Sequence, residues 1–245
     1  MSYMIGTWAE IPSPYVTDIM SKAGFDFTIV DMEHGIIDFE TAQNMFFAAR
    51  ANHKKMFIRV PEIEESWILR CLDMGVDGII FPGIETAEDV RKAVQLSRFR
   101  PAGSRGFNPY TSFGSYGAVG SDFLSAENKR VELGIIIESK AAVDKIDEIL
   151  ECDEIGLVYI GQYDLSVSMG IPGETANPDI LRILDEVIKK IKAKGKKAGC
   201  MVHSVDECLA TIGQGYEFIV YKVDTGILAG TIRDFTDGIR SMTHE

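Results

Sequence analysis

No two cysteines in this sequence stand close enough to form a CxxC pair. The four lie at positions 71, 152, 200 and 208, which excludes a thioredoxin-like redox motif and a zinc knuckle. Cys71, Cys152 and Cys200 sit in or beside apolar segments, the expected setting of reduced, buried thiols. No run of 18 apolar residues occurs. The opening MSYMIGTWAEI lacks a basic segment followed by a long apolar stretch, so neither a membrane span nor a signal peptide is expected, and the protein is read as cytoplasmic. A nucleotide-binding glycine loop is also missing. Positive charge is in deficit: 25 Lys and Arg face 37 Asp and Glu, a formal net charge of −12. Nucleic acids and anionic membranes are therefore poor partners, although local arginines can still receive a small anionic substrate.

What the sequence does have is a repeating pattern. Eight short β-branched runs are expected as strands: 4–8, 27–30, 56–60, 78–81, 133–137, 157–160, 197–202 and 218–223. Amphipathic stretches alternate with them and predict helices at 15–23, 40–52, 66–74, 87–97, 141–150, 179–194, 205–214 and 227–242. The segments AGFDFTIVD, MGVDGIIFP and QGYEFIVYKVD repeat one design, in which a helix-stopping glycine is followed at once by an apolar strand. Strands such as IIFP, IIIE and VYIG are apolar on both faces, as in a covered parallel sheet. Eight such units over 245 residues, with no linker, point to a single α/β domain (1–245) folded as a (β/α)8 TIM barrel. A doubly wound open sheet is the alternative. The one long irregular stretch, 98–131, is rich in Gly, Ser and aromatics and is expected to act as a lid or binding loop, with Arg105 reaching the distal end of a substrate.

In such barrels the C-terminal ends of the strands form the active mouth. The polar residues that follow the apolar runs are Glu10, then Asp31, Glu33 and His34, then Arg59, Glu138, the Gln162–Tyr163–Asp164 stretch, His203 and Asp224. Each has a bland alternative: Asp164 as a helix cap, Arg59 paired with Glu62 or Glu64 at the surface, Lys222 paired with Asp224. Glu138 resists that reading, because it follows three isoleucines and an unpaired carboxylate there would be costly. Glu138 and Asp164 together suit a hard divalent ion, Mg²⁺ or Mn²⁺, with Co²⁺ a further candidate. Arg59 suits a substrate carboxylate, and His34 can take and return a proton near neutral pH. A metal, an arginine and a base fit chemistry on a 2-oxo acid.

With those residues in place, the sequence resembles the HpcH/HpaI family of class II pyruvate aldolases. The likeness rests on GTW near the start, VDMEH (30–34), RVP (59–61), CLDMGVDGIIFPGIETAEDV (71–90), PAGSRG (101–106), IES (137–139), IGQYDLSVSMG (160–170) and VDT (223–225). It implies a TIM barrel assembled as a homo-hexamer, a trimer of dimers, with the last helix exchanged between subunits. It further implies metal carboxylates at Glu138 and Asp164, a pyruvate-contacting arginine at Arg59 and a catalytic histidine at His34. Asp31 and Asp73 would support that histidine, and backbone N–H groups of Tyr163 and Asp164 would hold the pyruvate carboxylate. Ile136, Tyr163 and Met32 depart from the family pattern, and His203 has no family counterpart, so the lining around the substrate is this chain's own.

The reaction expected is reversible cleavage of a 4-hydroxy-2-oxo acid to pyruvate and an aldehyde. Two other chemistries stay open at this point: a Schiff-base aldolase using Lys222, and a non-catalytic barrel that binds a 2-oxo acid. Acyl-CoA lyase chemistry ranks below these, for want of a basic patch. His53, Trp67 and the tail residue His244 are read as structural.

Overall fold

The computed structural model describes residues 3–243; His244 lies outside them. Eight parallel strands close into a barrel in sequence order. They are β1 (Met4–Ala9), β2 (Phe27–Asp31), β3 (Lys55–Arg59), β4 (Gly78–Phe81), β5 (Glu132–Ile137), β6 (Ile155–Ile160), β7 (Lys197–Val202) and β8 (Phe218–Val223). The helices are α1 (Pro14–Ala23), α2 (Phe39–Ala51), α3 (Glu65–Asp73), α4 (Ala87–Ser97), α5 (Phe123–Arg130), α6 (Lys140–Asp144), α7 (Ile146–Ile149), α8 (Gln162–Ser168), α9 (Pro178–Ala193), α10 (Val205–Gln214) and α11 (Asp224–Thr243).

Local chemistry explains where the helices begin. Ser13 caps α1 by accepting from the Val16 N–H, with Pro14 at the first helical position. Thr86 and Asp89 form a reciprocal capping box at the start of α4, and Ser204 caps α10 through the Glu207 N–H. Two cores result. One lies between sheet and helices; the other fills the barrel with Trp8, Phe27, Phe57, Ile136, Tyr159 and Phe218 among others. At the lower end Phe27 stacks on Phe218 at 3.9 Å between ring centres, and Phe57 meets both rings edge-on. The barrel is therefore solid below the mouth.

Three expectations change. The helix expected at 141–150 is broken at Lys145 into α6 and α7. The 98–131 segment runs from the end of α4 to the start of β5, so it lies at the N-terminal end of the barrel, opposite the mouth. It cannot act as a lid on its own barrel. Instead it packs Phe99, Phe107, Phe113 and Phe123 against one another, and Phe113 donates its N–H to the Asp73 carbonyl. Third, only Cys71 and Cys200 are fully buried, their thiols pushed up to about 12 by burial, while Cys152 and Cys208 are half-buried. All four are free. No described helix is long and apolar enough to cross a membrane.

Candidate active site

The stretch that ends β2 builds one wall of the mouth. Asp31 and Arg59 are register partners on neighbouring strands, so their side chains emerge side by side. Arg59 donates from Nε to Asp31 Oδ1 at 2.9 Å and from Nη2 to Oδ2 at 2.5 Å. Its third nitrogen, Nη1, lies 2.9 Å from Glu33 Oε2, and the guanidinium sits 4.6 Å above the Trp8 ring. Burial works against the charge on Arg59, yet the Asp31 and Glu33 carboxylates more than offset it and hold the group above its ordinary pKa.

The same Asp31 Oδ1 accepts the backbone N–H of Glu33 and of His34. That turn is tight: a Cβ on Gly35 would lie 2.2 Å from the Asp31 carbonyl oxygen, so only glycine closes it. Asp31 thus fixes both Arg59 and the peptide that carries His34, though it makes no side-chain bond to the imidazole. Neither Glu62 nor Glu64 is the partner of Arg59: Glu64 pairs with Lys92. Glu33, indistinguishable by sequence from a solvated loop carboxylate, belongs to the site. Burial holds its carboxyl above the usual range, Arg59 opposing and Glu138 adding to the shift.

Across the mouth, Glu138 follows the last residue of β5 and accepts the Gly83 N–H at 2.7 Å. Asp164 stands in the first turn of α8. Gly161 lets the two come together, since a Cβ there would meet Glu138 Cβ at 2.9 Å. Burial raises the Glu138 pKa; the Gly83 bond opposes that, and repulsion from Asp164 adds to it. Two carboxylates that repel one another beside the ends of apolar strands suit a cation held between them. Among the described residues no group of three or more His, Cys, Asp or Glu is arranged around a common point. A divalent ion held by Glu138 and Asp164 would therefore keep other positions for water or substrate oxygens, as Mg²⁺-type ions do.

A cavity of about 170 Å³ joins these walls; it is lined by Asp31, His34, Arg59, Ile136, Glu138, Tyr163, Asp164 and His203 among others. Its floor is Trp8 and Tyr159, joined by a bond from the indole N–H to Tyr159 Oη at 3.2 Å. Sequence reasoning did not single out either residue or Glu207, which also lines the cavity. The inward alternation of Met4, Gly6 and Trp8 along β1 was the available signal for Trp8.

Glu33 lines an adjoining cleft with His34, Glu138 and Asp164, and four other sequence candidates fall outside this cavity. Asp73 ends α3 and Arg105 lies in the 98–131 segment, both at the opposite end of the barrel. Arg105 donates to Asp73 at 2.9 Å and is sandwiched between the Phe99 and Phe113 rings at 4.5 and 4.6 Å. Within this chain Asp73 therefore braces Arg105 and not His34, and Arg105 does not reach the substrate mouth. Lys222 does not line the cavity either; its ammonium sits over the Tyr221 ring at 5.1 Å. Asp224 is not its partner but accepts the N–H groups of Glu10 and Ile11, each at 3.0 Å, where β8 meets β1.

The sequence profile of the HpcH/HpaI aldolase/citrate lyase family matches residues 4–229. The chain belongs to that family. It is a carbon–carbon lyase of the aldolase type. It is 30% identical over 235 residues to a hydroxypyruvate/pyruvate aldolase of Roseovarius nubinhibens, covering 94% of this chain and 90% of that one. A 2-keto-3-deoxy-L-rhamnonate aldolase of Klebsiella pneumoniae is 32% identical over 223 residues, covering 90% and 83%. Among solved structures, an HpcH/HpaI aldolase/citrate lyase family protein from Burkholderia cenocepacia superposes with a TM-score of 0.91 at 27% identity, covering 98% and 95%. The eight-stranded barrel is the fold this family shares.

Proposed function

We propose that this aldolase catalyses reversible cleavage of a 4-hydroxy-2-oxo acid to pyruvate and an aldehyde. The observation that carries the reading is the convergence in one cavity of a braced arginine, a histidine and an electron-rich carboxylate pair. Glu138 and Asp164 would hold Mg²⁺ or Mn²⁺. When bound, such an ion polarises the 2-keto oxygen and stabilises the negative charge that forms on it.

The chain's own residues supply the rest. Arg59, already planar against Trp8, offers its guanidinium to the acid end of the substrate as Glu33 gives way. The Tyr163–Asp164 backbone turn closes around the substrate carboxylate from the other side. His34 takes the proton of the 4-hydroxyl, directly or through one water, as the C3–C4 bond breaks. Its electron pair passes into the pyruvate enolate, and the proton is then returned to C3. Ile136 and Tyr159 keep the floor dry beneath the reacting carbons, which strengthens each polar contact.

The assembly reading has its own support. α11 carries Leu228, Ile232, Phe235 and Met242 exposed, at spacings that share one face, and it touches its own barrel mainly at β1 and β8. We infer that this face docks on a second subunit, in a homo-oligomer built as a hexamer.

A screen of pyruvate against aldehydes, with added Mg²⁺ or Mn²⁺ and an EDTA control, tests the reaction. Metal-dependent exchange of the pyruvate methyl protons together with aldol formation is the expected result. Turnover indifferent to EDTA would overturn it.

A further inference from the structure

The wall of the mouth built by β6 and β7 differs in chemistry from the wall built by β2 and β3. Tyr163 Oη lies 3.3 Å from His203 Nε2. On the far side of the ring, His203 Nδ1 lies 3.5 Å from Glu207 Oε2, and that oxygen also accepts the His203 backbone N–H at 2.7 Å. Glu207 is itself fixed, since its N–H donates to Ser204, the cap of α10. Tyr163 and His203 therefore form a held pair at the cavity wall, with Gln162 and Thr175 beside them. Every group in that set can hydrogen-bond, and only one bears a fixed charge.

That charge is negative. Any positive charge His203 acquires is balanced by Glu207. Arg59 is already shared by Asp31 and Glu33 on the other wall. Lys189 and Lys192, which lie in the neighbouring groove between α9 and α10, are bound to Asp185 and to the Gly215 carbonyl. A second carboxylate on the substrate would find no unclaimed cation here, whereas a hydroxyl would find both a donor and an acceptor.

We propose that Tyr163 and His203 form the subsite that reads the aldehyde half, and that it selects neutral aldehydes carrying a hydroxyl next to the carbonyl. This rests on the pyruvate-aldolase reading above. The two side chains act by hydrogen bonding to that hydroxyl, a contact an alkyl analogue cannot make, and an anionic analogue is repelled by the Glu207 carboxylate behind His203.

The experiment compares kcat/KM for glycolaldehyde, its isostere propionaldehyde and the anionic succinic semialdehyde, each with pyruvate and metal. The wild-type enzyme is expected to prefer glycolaldehyde over both by at least about tenfold. Tyr163→Phe and His203→Leu should each cut the glycolaldehyde-to-propionaldehyde ratio by about tenfold, and His203→Gln, which keeps a hydrogen-bonding group, should restore part of it. An unchanged ratio in both variants, or a wild-type preference for succinic semialdehyde, overturns the proposal. Exchange of the pyruvate methyl protons by the wild-type enzyme, which needs no aldehyde, judges the parent reading separately. If that exchange fails, saturation-transfer NMR with D-glyceraldehyde decides the subsite: weaker transfer in His203→Leu supports it, and equal transfer refutes it.

Discussion

Asp31 and Arg59 meet as register neighbours on β2 and β3 and lock through two hydrogen bonds of 2.9 and 2.5 Å. One carboxylate thereby sets the plane of the guanidinium and, through the N–H groups of Glu33 and His34, the turn that presents the imidazole.

Removing one partner of such a buried pair strands the other. Asp31→Ala is expected to cost about 3 kcal/mol, which for a chain of this size lowers Tm by roughly 6–12 °C. Arg59→Lys keeps the charge but cannot span Asp31 and Glu33 together, so kcat/KM should fall about 100-fold with a smaller change in Tm. Thermal denaturation and steady-state kinetics on the same preparations check both.

His34→Gln should lose between about 10² and 10⁴ in kcat while retaining metal binding, since the imidazole is asked only to move a proton. Isothermal titration with Mn²⁺ beside an assay of pyruvate release separates the two effects. Full activity in this variant would remove His34 from the mechanism.

Glu138 yields a prediction with a definite sign. Burial holds its folded pKa above the ordinary 4.5, so the folded protein without metal keeps a proton that the unfolded chain has released. That contribution to stability is complete below pH 4.5 and is lost as pH rises through the raised value. Glu138→Gln, which can still accept the Gly83 N–H, should therefore raise the Tm of the metal-free protein at pH 7. In the wild-type protein, saturating Mg²⁺ or Mn²⁺ should reverse the penalty: at 100 times Kd the gain is about 2.7 kcal/mol. The variant should show no such gain. Acidification should release the metal at a higher pH than an ordinary carboxylate would, readable by titration calorimetry across pH.

Borohydride added with pyruvate should leave the mass of the protein unchanged, because Lys222 stands outside the cavity. A trapped adduct on Lys222, found by mass spectrometry, would restore the Schiff-base alternative.

If α11 docks on a second subunit as proposed, Phe235→Asp should lower the mass in solution, because it puts a charge on the exposed apolar face of that helix. Light scattering coupled to size exclusion reads the change. An oligomer that survives with unchanged mass would place the interface elsewhere.

Much of this architecture was legible in the sequence, because a strand buried on both faces has little freedom in composition. IIFP and IIIE read as strands, and the ends of the third, fifth and sixth strands point to Arg59, Glu138 and Asp164 as mouth residues. What escaped was partnership. Sequence spacing suggested Glu62 or Glu64 for Arg59, whereas register across two strands delivered Asp31 and Glu33. Length and composition alone suggest a lid for the 98–131 segment. The side of the barrel it occupies follows from connectivity: a segment leading from a helix into a strand lies away from the mouth. Asp73 and Arg105 lie on that same side of their own barrel. Glu207 was invisible because its role is to hold His203, and nothing in SVDE distinguishes that from an ordinary first-turn carboxylate.

Asp224 is the first residue of α11, yet its carboxylate belongs to the rim of the barrel, where it grips the β1 peptides of Glu10 and Ile11. The ring is thus sealed before the last helix departs. Thr225 adds to the seam, its hydroxyl donating to the Glu10 carboxylate. The first turn of α11 thus serves the closed ring, and only the helix beyond it is left to present an apolar face outward.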